Sequence, residues 1–363
     1  MNIYKYLWFF GTKPKNGYVT IEPSKKRVFV KDNQSILDAA LEQGLDYPHD
    51  CKFGSCGSCK TKLLKGKIKP TIDYSYTLSK QEIANNYFLA CQCRLTMDSI
   101  VEVELGNLIR KAPKKSNAKI ISTNMLTSDI MSVVLKTEDN INHDALAGMW
   151  SELSIGGLDR PRSYSYAKAP QNEKPNEFTF FIRKVPGGKF TEWLFDPERD
   201  KNENLVINGP FGSFYLREKN TPIICIAGGS GLAPIKALLE DGVSKQVKRD
   251  VVFLFGARTQ NDLYCVEELN QIKNNWNKDY FFDFVPVLNM ESQDSDWKGA
   301  RGLVTDFFEE EYIKKKGLDI SDWQGYLCGP PPMVDFGAEL LKKYGIKSDE
   351  IFYDKFTDSS NKE

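Results

Sequence analysis

The stretch Cys51-Lys52-Phe53-Gly54-Ser55-Cys56-Gly57-Ser58-Cys59 governs how the first third of the chain must fold. Its three thiols stand in C-x4-C-x2-C spacing, and two more follow in Phe88-Leu89-Ala90-Cys91-Gln92-Cys93-Arg94. A [2Fe-2S] cluster needs four thiolates converging from one tight loop and one neighbouring segment, and this is the plant-type spacing with a distant fourth ligand. Gly54 and Gly57 allow the loop backbone to approach the sulfurs and aim N–H groups at them, which raises the potential of a bound cluster. A structural zinc ion usually draws on two short Cys or His pairs, a pattern these crowded cysteines do not follow. By spacing alone, Cys91 and Cys93 compete for the fourth position.

The rest of the composition agrees with redox chemistry inside the cell. No basic leader, apolar middle and cleavage site of a signal peptide is evident, so the eight cysteines are expected in the cytoplasm as thiols and metal ligands, not disulfides. The early apolar run 3–10 contains Lys5 and is far shorter than the roughly 20 residues of a spanning helix. Lys plus Arg and Asp plus Glu both number 49, which gives no reason to expect a nucleic-acid partner. A length of 363 residues predicts two or three domains.

Outward from the cysteine loop, residues 16–106 carry short β-type runs such as 28–30 and one helical stretch, 35–43, with Ser35 as its N-cap. Residues 109–117 show no hydrophobic period and read as a linker. Strand-like runs at 130–135, 162–167 and 177–183, with little helix beyond a short piece after Gly188, predict a small antiparallel barrel. After Asn220, apolar strands (222–227, 251–256, 282–288, 326–328) alternate with amphipathic helices, the pattern of a doubly wound parallel sheet.

Four motifs lie on this frame. Arg162-Ser163-Tyr164-Ser165 matches the R-x-Y-S pattern of ferredoxin reductase-like flavoproteins, and Arg162 offers a planar, permanently charged partner for a pyrophosphate. In Gly187-Gly188-Lys189-Phe190-Thr191 the glycines precede a short helix whose free N–H groups, with the Thr191 hydroxyl, would hold a diphosphate. Gly228-Gly229-Ser230-Gly231-Leu232 follows an apolar strand and opens a helix, as a dinucleotide pyrophosphate requires. A hydrolase nucleophile elbow around Ser230 fails, because Leu232 replaces the needed glycine and His49 and His143 both lie upstream. Cys328-Gly329-Pro330 ends a late strand, at the edge where such sheets bind ligands.

Together with Gly209-Pro210-Phe211-Gly212, these segments resemble the reductase components of oxygenases, the family of the electron-transfer component of xylene monooxygenase, over nearly the whole chain. The resemblance runs through 48–60, 89–94, 162–166, 228–236, 255–265, 295–305 and the distinctive GYLCGPPPMVD of 325–335. It implies a β-grasp-like [2Fe-2S] ferredoxin domain (16–108), an antiparallel β-barrel FAD domain (117–218) and an α/β doubly wound NAD domain (219–356). It implies Cys91 as the fourth ligand, Gly209 and Gly212 among the FAD contacts, Tyr164 stacked on the flavin and Ser165 near its N5. It further implies Cys328 at the nicotinamide, with Gly329 and Pro330 beside it, and Phe356 of Phe352-Tyr353-Asp354-Lys355-Phe356 as an aromatic cover. Tyr166 departs from the Thr, Ser or Phe that the family carries there.

The implied activity is hydride transfer from NADH to FAD, then single electrons through the cluster to a membrane-embedded di-iron hydroxylase of hydrocarbons. The flavin supplies that chemistry and the protein supplies geometry and electrostatics. Arg258 would suit the 2′-phosphate of NADPH, whereas the resemblance favours NADH. The same three modules would also serve deoxysugar synthesis, or a redox sensor without turnover. The aromatic residues of 1–10 suggest weak, reversible contact with the inner membrane surface.

Overall fold

The computed structural model describes residues 15–106, 111–139, 145–158, 160–200 and 203–357, so the segment 1–10 lies outside the described residues. The chain divides into two compact units, one of residues 1–113 with 211–213, the other of 114–210 with 214–363.

The first unit is one mixed sheet with a helix laid on it. Strands β1 (Gly17–Glu22), β2 (Lys26–Val30), β3 (Lys60–Pro70), β4 (Tyr87–Leu89) and β5 (Cys93–Glu102) run in the order β2-β1-β5-β3-β4. The central pair β1 and β5 is parallel and its neighbours are antiparallel, the β-grasp arrangement. Alternation along β1 and β2 turns Val19, Ile21, Val28 and Val30 inward. Against them pack Ile36, Leu37 and Ala40 of α1 (Ile36–Glu42). Burial of each of these Val, Ile and Leu side chains contributes about 1.5–3 kcal/mol. Helix α1 begins where Ser35 Oγ accepts the Asp38 amide at 3.0 Å, and ends before Gly44, which takes φ of +76°. A short helix α2 (Lys80–Ala84) carries a capping box between Ser79 and Glu82.

The second unit opens with a near-barrel of β6 (Lys114–Met125), β7 (Ile130–Thr137), β8 (Trp150–Ser154), β9 (Arg162–Ser165), β10 (Glu177–Arg183) and β11 (Leu205–Phe211), with α3 (Lys189–Phe195) between the last two. The order is β10-β7-β6-β11-β8-β9, and an antiparallel bridge from Tyr166 to Phe180 brings the two edges together. Tyr166 is 1% exposed: it stacks on Phe178 and shares a 2.6 Å hydrogen bond with Ser151 Oγ inside the barrel. Strand β6 begins within the stretch that reads as a linker. Its inward positions there are Ser116 and Ala118, too polar or too small to show as a hydrophobic period, while pairing with β11 satisfies its backbone.

The remainder is a six-stranded parallel sheet, β12 (Ile223–Gly228), β13 (Val251–Ala257), β14 (Phe282–Leu288), β15 (Ala300–Arg301), β16 (Gln324–Gly329) and β17 (Ile351–Lys355), in the order β15-β14-β13-β12-β16-β17. Helices α4 (Leu232–Ser244) and α5 (Val266–Asn275) cover one face, and α6 (Val304–Phe308) and α7 (Pro331–Lys343) the other. Every residue of β12 is buried, which is why it reads as an unbroken apolar run. The chain leaves β12 toward β13 and later returns on its other side as β16, so the switch point of the sheet lies between β12 and β16.

Trp276, 2% exposed, closes the end of α5: its Nε1 donates to Arg249 O at 2.8 Å and its ring meets Phe282 and the bare face of Gly242. Trp276→Ala is therefore expected to destabilise the α/β part by about 3–5 kcal/mol. A denaturant melt that follows this unit checks it, and a loss below about 1 kcal/mol would contradict the packing described.

Candidate functional site

In the first unit the loop after Tyr47 folds around its own sulfurs. The Phe53 and Cys56 amides donate to Cys51 Sγ at 3.3 and 3.4 Å, and the Cys51 and Ser58 amides donate to Cys56 Sγ at 3.5 Å. These directions need the left-handed turns at Gly54 (φ +81°) and Gly57 (φ +80°). Thr77 Oγ1 donates to Gly54 O at 2.6 Å and Gln92 Nε2 to Lys52 O at 2.9 Å, which fixes the loop from outside.

The thiols form two pairs. Cys51 interacts with Cys56, and Cys59 Sγ lies 3.3 Å from Cys91 Sγ. The Cys56 contact, opposed by burial and helped by Ser55 and the loop amides, holds the Cys51 thiol well below its ordinary value. Two thiol pairs, with amides already aimed at sulfur, fit the two irons of a [2Fe-2S] cluster. Ser55 Oγ is buried without a hydrogen bond of ordinary geometry, although the hydroxyl is near enough to Cys51 to lower that thiol's proton affinity. Cys93 stands apart at the start of β5, fully buried, its thiol pushed up chiefly by burial. His49, two residues before Cys51, is also buried: its Nε2 accepts the Gly212 amide at 2.9 Å, so Nδ1 carries the proton and donates to Tyr47 O at 2.7 Å.

In the second unit, strand alternation places Arg162 and Tyr164 on one side of β9 and Ser165 on the other. The Tyr164 ring lies 5.5 Å from Phe190 of α3, and Arg162 Nη1 donates to Arg160 O at 2.6 Å. Gly187 (φ +72°) has open space beside its α-carbon, as a loop that admits a phosphate needs. The Thr191 hydroxyl is buried, lies 3.1 Å from Val185 O and Gly188 O, and accepts the Val185 amide, so it also shapes the turn. Gly209 passes so near Ser151 that a side chain there would strike it.

The nicotinamide motifs meet at the switch point. A Cβ on Gly231 would collide with the Cys328 carbonyl, and one on Gly329 (φ +150°) would lie 3.0 Å from Gly228 O. The turn after β12 and the end of β16 thus pack backbone on backbone. Gly229 (φ +56°) faces open space and its carbonyl accepts Tyr264 Oη at 2.9 Å, while Ser230 leads into Gly231 and α4. Pro330 caps α7. Lys236 of α4 is buried; burial alone would lower its pKa, but Glu240 at 2.5 Å and Glu268 at 2.8 Å outweigh this and raise it.

A buried hydrogen bond links the barrel to the parallel sheet. Ser165 Oγ donates to Asp354 Oδ2 at 3.2 Å, and Asp354 is the direct strand partner of fully buried Cys328. Two residues on, the Phe356 amide donates to Gly329 O at 2.9 Å. Ser165, Cys328 and Phe356, separated widely in sequence, are thereby brought to one place. Asp354 was not singled out by sequence. Its signal was a carboxylate at an inward position of the last strand, directly after two aromatic residues. Arg258, past the end of β13, reaches Asp262 Oδ1 at 2.5 Å and Asp129 Oδ2 at 3.4 Å.

A ferredoxin-type cysteine loop, a flavin-type barrel and a dinucleotide switch point in one chain define an FAD- and [2Fe-2S]-dependent NADH:acceptor oxidoreductase. Residues 19–96 match the 2Fe-2S iron-sulfur cluster binding domain, and residues 225–339 the oxidoreductase NAD-binding domain. The chain is 37% identical to the xylene/toluene monooxygenase electron transfer component of Pseudomonas putida, over 94% of both chains. It is 32% identical to the reductase component of propane 2-monooxygenase of Mycolicibacterium smegmatis, over 93% of this chain and 97% of the other. The crystal structure of the Amycolatopsis cytochrome P450 reductase GcoB superposes with a TM-score of 0.79 at 30% identity, over 94% of this chain and 99% of that one. The chain belongs to the family of oxygenase electron-transfer reductases, with a [2Fe-2S] cluster, FAD and NADH as its cofactors.

Two outcomes are expected. Cys91→Ala abolishes the EPR signal of the reduced cluster and Cys93→Ala retains it; the reverse would move the fourth ligand. Asp354→Ala leaves the buried Ser165 hydroxyl without its acceptor, and stopped-flow reduction of FAD by NADH is expected to slow about tenfold or more, with the EPR signal intact. An unchanged rate would remove Asp354 from the site.

Proposed function

We propose that this chain takes hydride from NADH and delivers single electrons to a membrane-bound di-iron hydrocarbon hydroxylase. The observation that carries the hydride step is the Ser165–Asp354 hydrogen bond beside Cys328, which joins the flavin motif to the nicotinamide motif. FAD, when bound, accepts hydride and releases electrons singly, which a nicotinamide alone does not do. NADH and two oxidised acceptors give NAD+, a proton and two reduced acceptors.

In this reading Tyr164 stacks on the flavin and Arg162 neutralises its pyrophosphate, while Gly187 and Gly188 admit the phosphates. Gly228, Gly229, Ser230 and Gly231 admit the dinucleotide, and Gly329 and Pro330 shape its nicotinamide end. Ser165, oriented by Asp354, fixes the position of the reacting ring edge. Cys328 packs against the nicotinamide, and Phe356 covers the flavin until the nicotinamide takes its place. Cys51, Cys56, Cys59 and Cys91 hold the cluster, and the loop amides that donate to sulfur favour its reduced form.

The choice of a hydrocarbon hydroxylase rests on the 37% identity with the xylene/toluene monooxygenase component. No helix among the described residues is long and apolar enough to cross a membrane. In our reading, contact with a membrane partner is peripheral. Residues 1–10 are our candidate for that contact.

NADH-driven cytochrome c reduction should proceed with the purified holoprotein, and hydroxylase-containing membranes should gain NADH-dependent hydrocarbon hydroxylation when it is added. Deleting residues 1–10 should lower only the second activity. Turnover with cytochrome c but none with such membranes would sink the proposed partner, and equal losses in both assays would sink the role of 1–10.

A further inference from the structure

In doubly wound sheets the adenosine ribose lies over the carboxyl end of a strand beside the pyrophosphate turn, where an arginine is what admits a 2′-phosphate. Here that arginine is Arg258, directly after β13, and β13 is the neighbour of β12. One nitrogen of its guanidinium already faces two carboxylates. Nη2 donates to Asp262 Oδ1 at 2.5 Å and to Asp129 Oδ2 at 3.4 Å. Asp262 is itself held, since its other oxygen accepts the Thr259 amide at 3.0 Å and the Thr259 hydroxyl at 2.9 Å. Asp129, from the turn between β6 and β7, also accepts Arg183 Nε at 3.0 Å.

The surrounding charge does not favour a second anion. At the end of β14, Glu291 accepts the Gln260 amide at 2.7 Å, and that hydrogen bond holds its carboxyl below the usual range. Gln260 Nε2 reaches Asp296 at 2.9 Å. Arg301 spends its donors on the carbonyls of Glu291, Ser292 and Trp297 and on the Ser295 hydroxyl. Three arginines (183, 258 and 301) therefore stand among four carboxylates (Asp129, Asp262, Glu291 and Asp296).

We propose that Asp262 and Asp129 withhold Arg258 from the coenzyme, so that the adenosine end of the site accepts the 2′-hydroxyl of NADH and rejects the 2′-phosphate of NADPH. The proposal rests on the nicotinamide-oxidising reading above and adds the device that selects between the two coenzymes. A 2′-phosphate drawn to the guanidinium would lie against two carboxylates that already neutralise it, one of them also held by two donors from Thr259. Nothing in this arrangement penalises a hydroxyl.

The test compares kcat/KM for NADH and NADPH, with ferricyanide as acceptor, in the wild-type holoprotein and in the D262N, D129N and R258A variants and the D262N/R258A pair. D262N keeps an acceptor oxygen for Thr259 while removing the charge. Freeing one charge-assisted bond for the phosphate should raise the NADPH-to-NADH ratio about tenfold in D262N, and adding R258A should abolish the gain. R258A alone should change both coenzymes by the same factor. A larger NADPH loss in R258A would show that Arg258 already serves the phosphate and would overturn the proposal. An unchanged ratio in D262N, or in D129N should D262N fail to fold, would overturn it too. Calorimetric binding of 2′,5′-ADP against 5′-AMP gives the same comparison without turnover: D262N should tighten only the former. If the wild-type protein does not oxidise NADH at all, the parent reading fails while this binding comparison still decides the inference.

Discussion

The hydrogen bond between Ser165 and Asp354 joins two sheets that are built on different principles, an antiparallel barrel and a parallel doubly wound sheet. A carboxylate buried to 7% exposure is costly unless it is paired or hydrogen-bonded, so Asp354 constrains what may lie opposite it. Because Asp354 is registered with Cys328 on the adjacent strand, the same constraint fixes the nicotinamide motif relative to the flavin motif. Hydride transfer depends on reacting atoms held within a few tenths of an ångström of a productive separation, and proximity of that kind must be built into a rigid frame. Strand positions supply it better than loops do.

The switch point adds a second constraint, backbone packed on backbone. Gly231 and Gly329 are required by the space available, since the carbonyl of Cys328 and the backbone of Gly228 occupy the places where side chains would stand. This close approach keeps the glycine turn beside the end of β16, where Cys328 lies. Tyr264, whose hydroxyl donates to Gly229 O, and Lys236, whose two carboxylate partners join α4 to α5, hold the turn from behind. The polar groups nearest the coenzyme site are thus largely satisfied by one another before any ligand arrives.

The cysteine loop follows the opposite strategy. Its amides point at sulfur, and Ser55 keeps a buried hydroxyl without an ordinary partner. Donors gathered in a low-dielectric site are favourable around a negatively charged cluster. Such a loop is organised for a group it must receive. Cys93, two residues beyond Cys91, lies fully buried at the start of β5, where Tyr74 and the Leu89 backbone approach its sulfur.

The sequence by itself determined whatever is encoded locally. Helix α1 with its Ser35 cap, the apolar strands of the parallel sheet and the C-x4-C-x2-C loop are set by caps, periodicity and spacing, all read within a dozen or so neighbouring residues. Tertiary structure alone decided which polar side chains meet. Ser165 and Asp354 are 189 positions apart, and Arg258 and Asp129 are 129 apart, so no local pattern announces either pair. Strand β6 was hidden because its inward residues, Ser116 and Ala118, carry little hydrophobic signal and its stability comes from partners elsewhere in the chain. The same holds for Thr191: a hydroxyl beside a glycine turn looks free in sequence, and only the folded turn reveals the Val185 and Gly188 carbonyls 3.1 Å from it. Hydrogen bonds are short-ranged in space and indifferent to separation along the chain, so the partners of these groups exist only once the sheets have assembled.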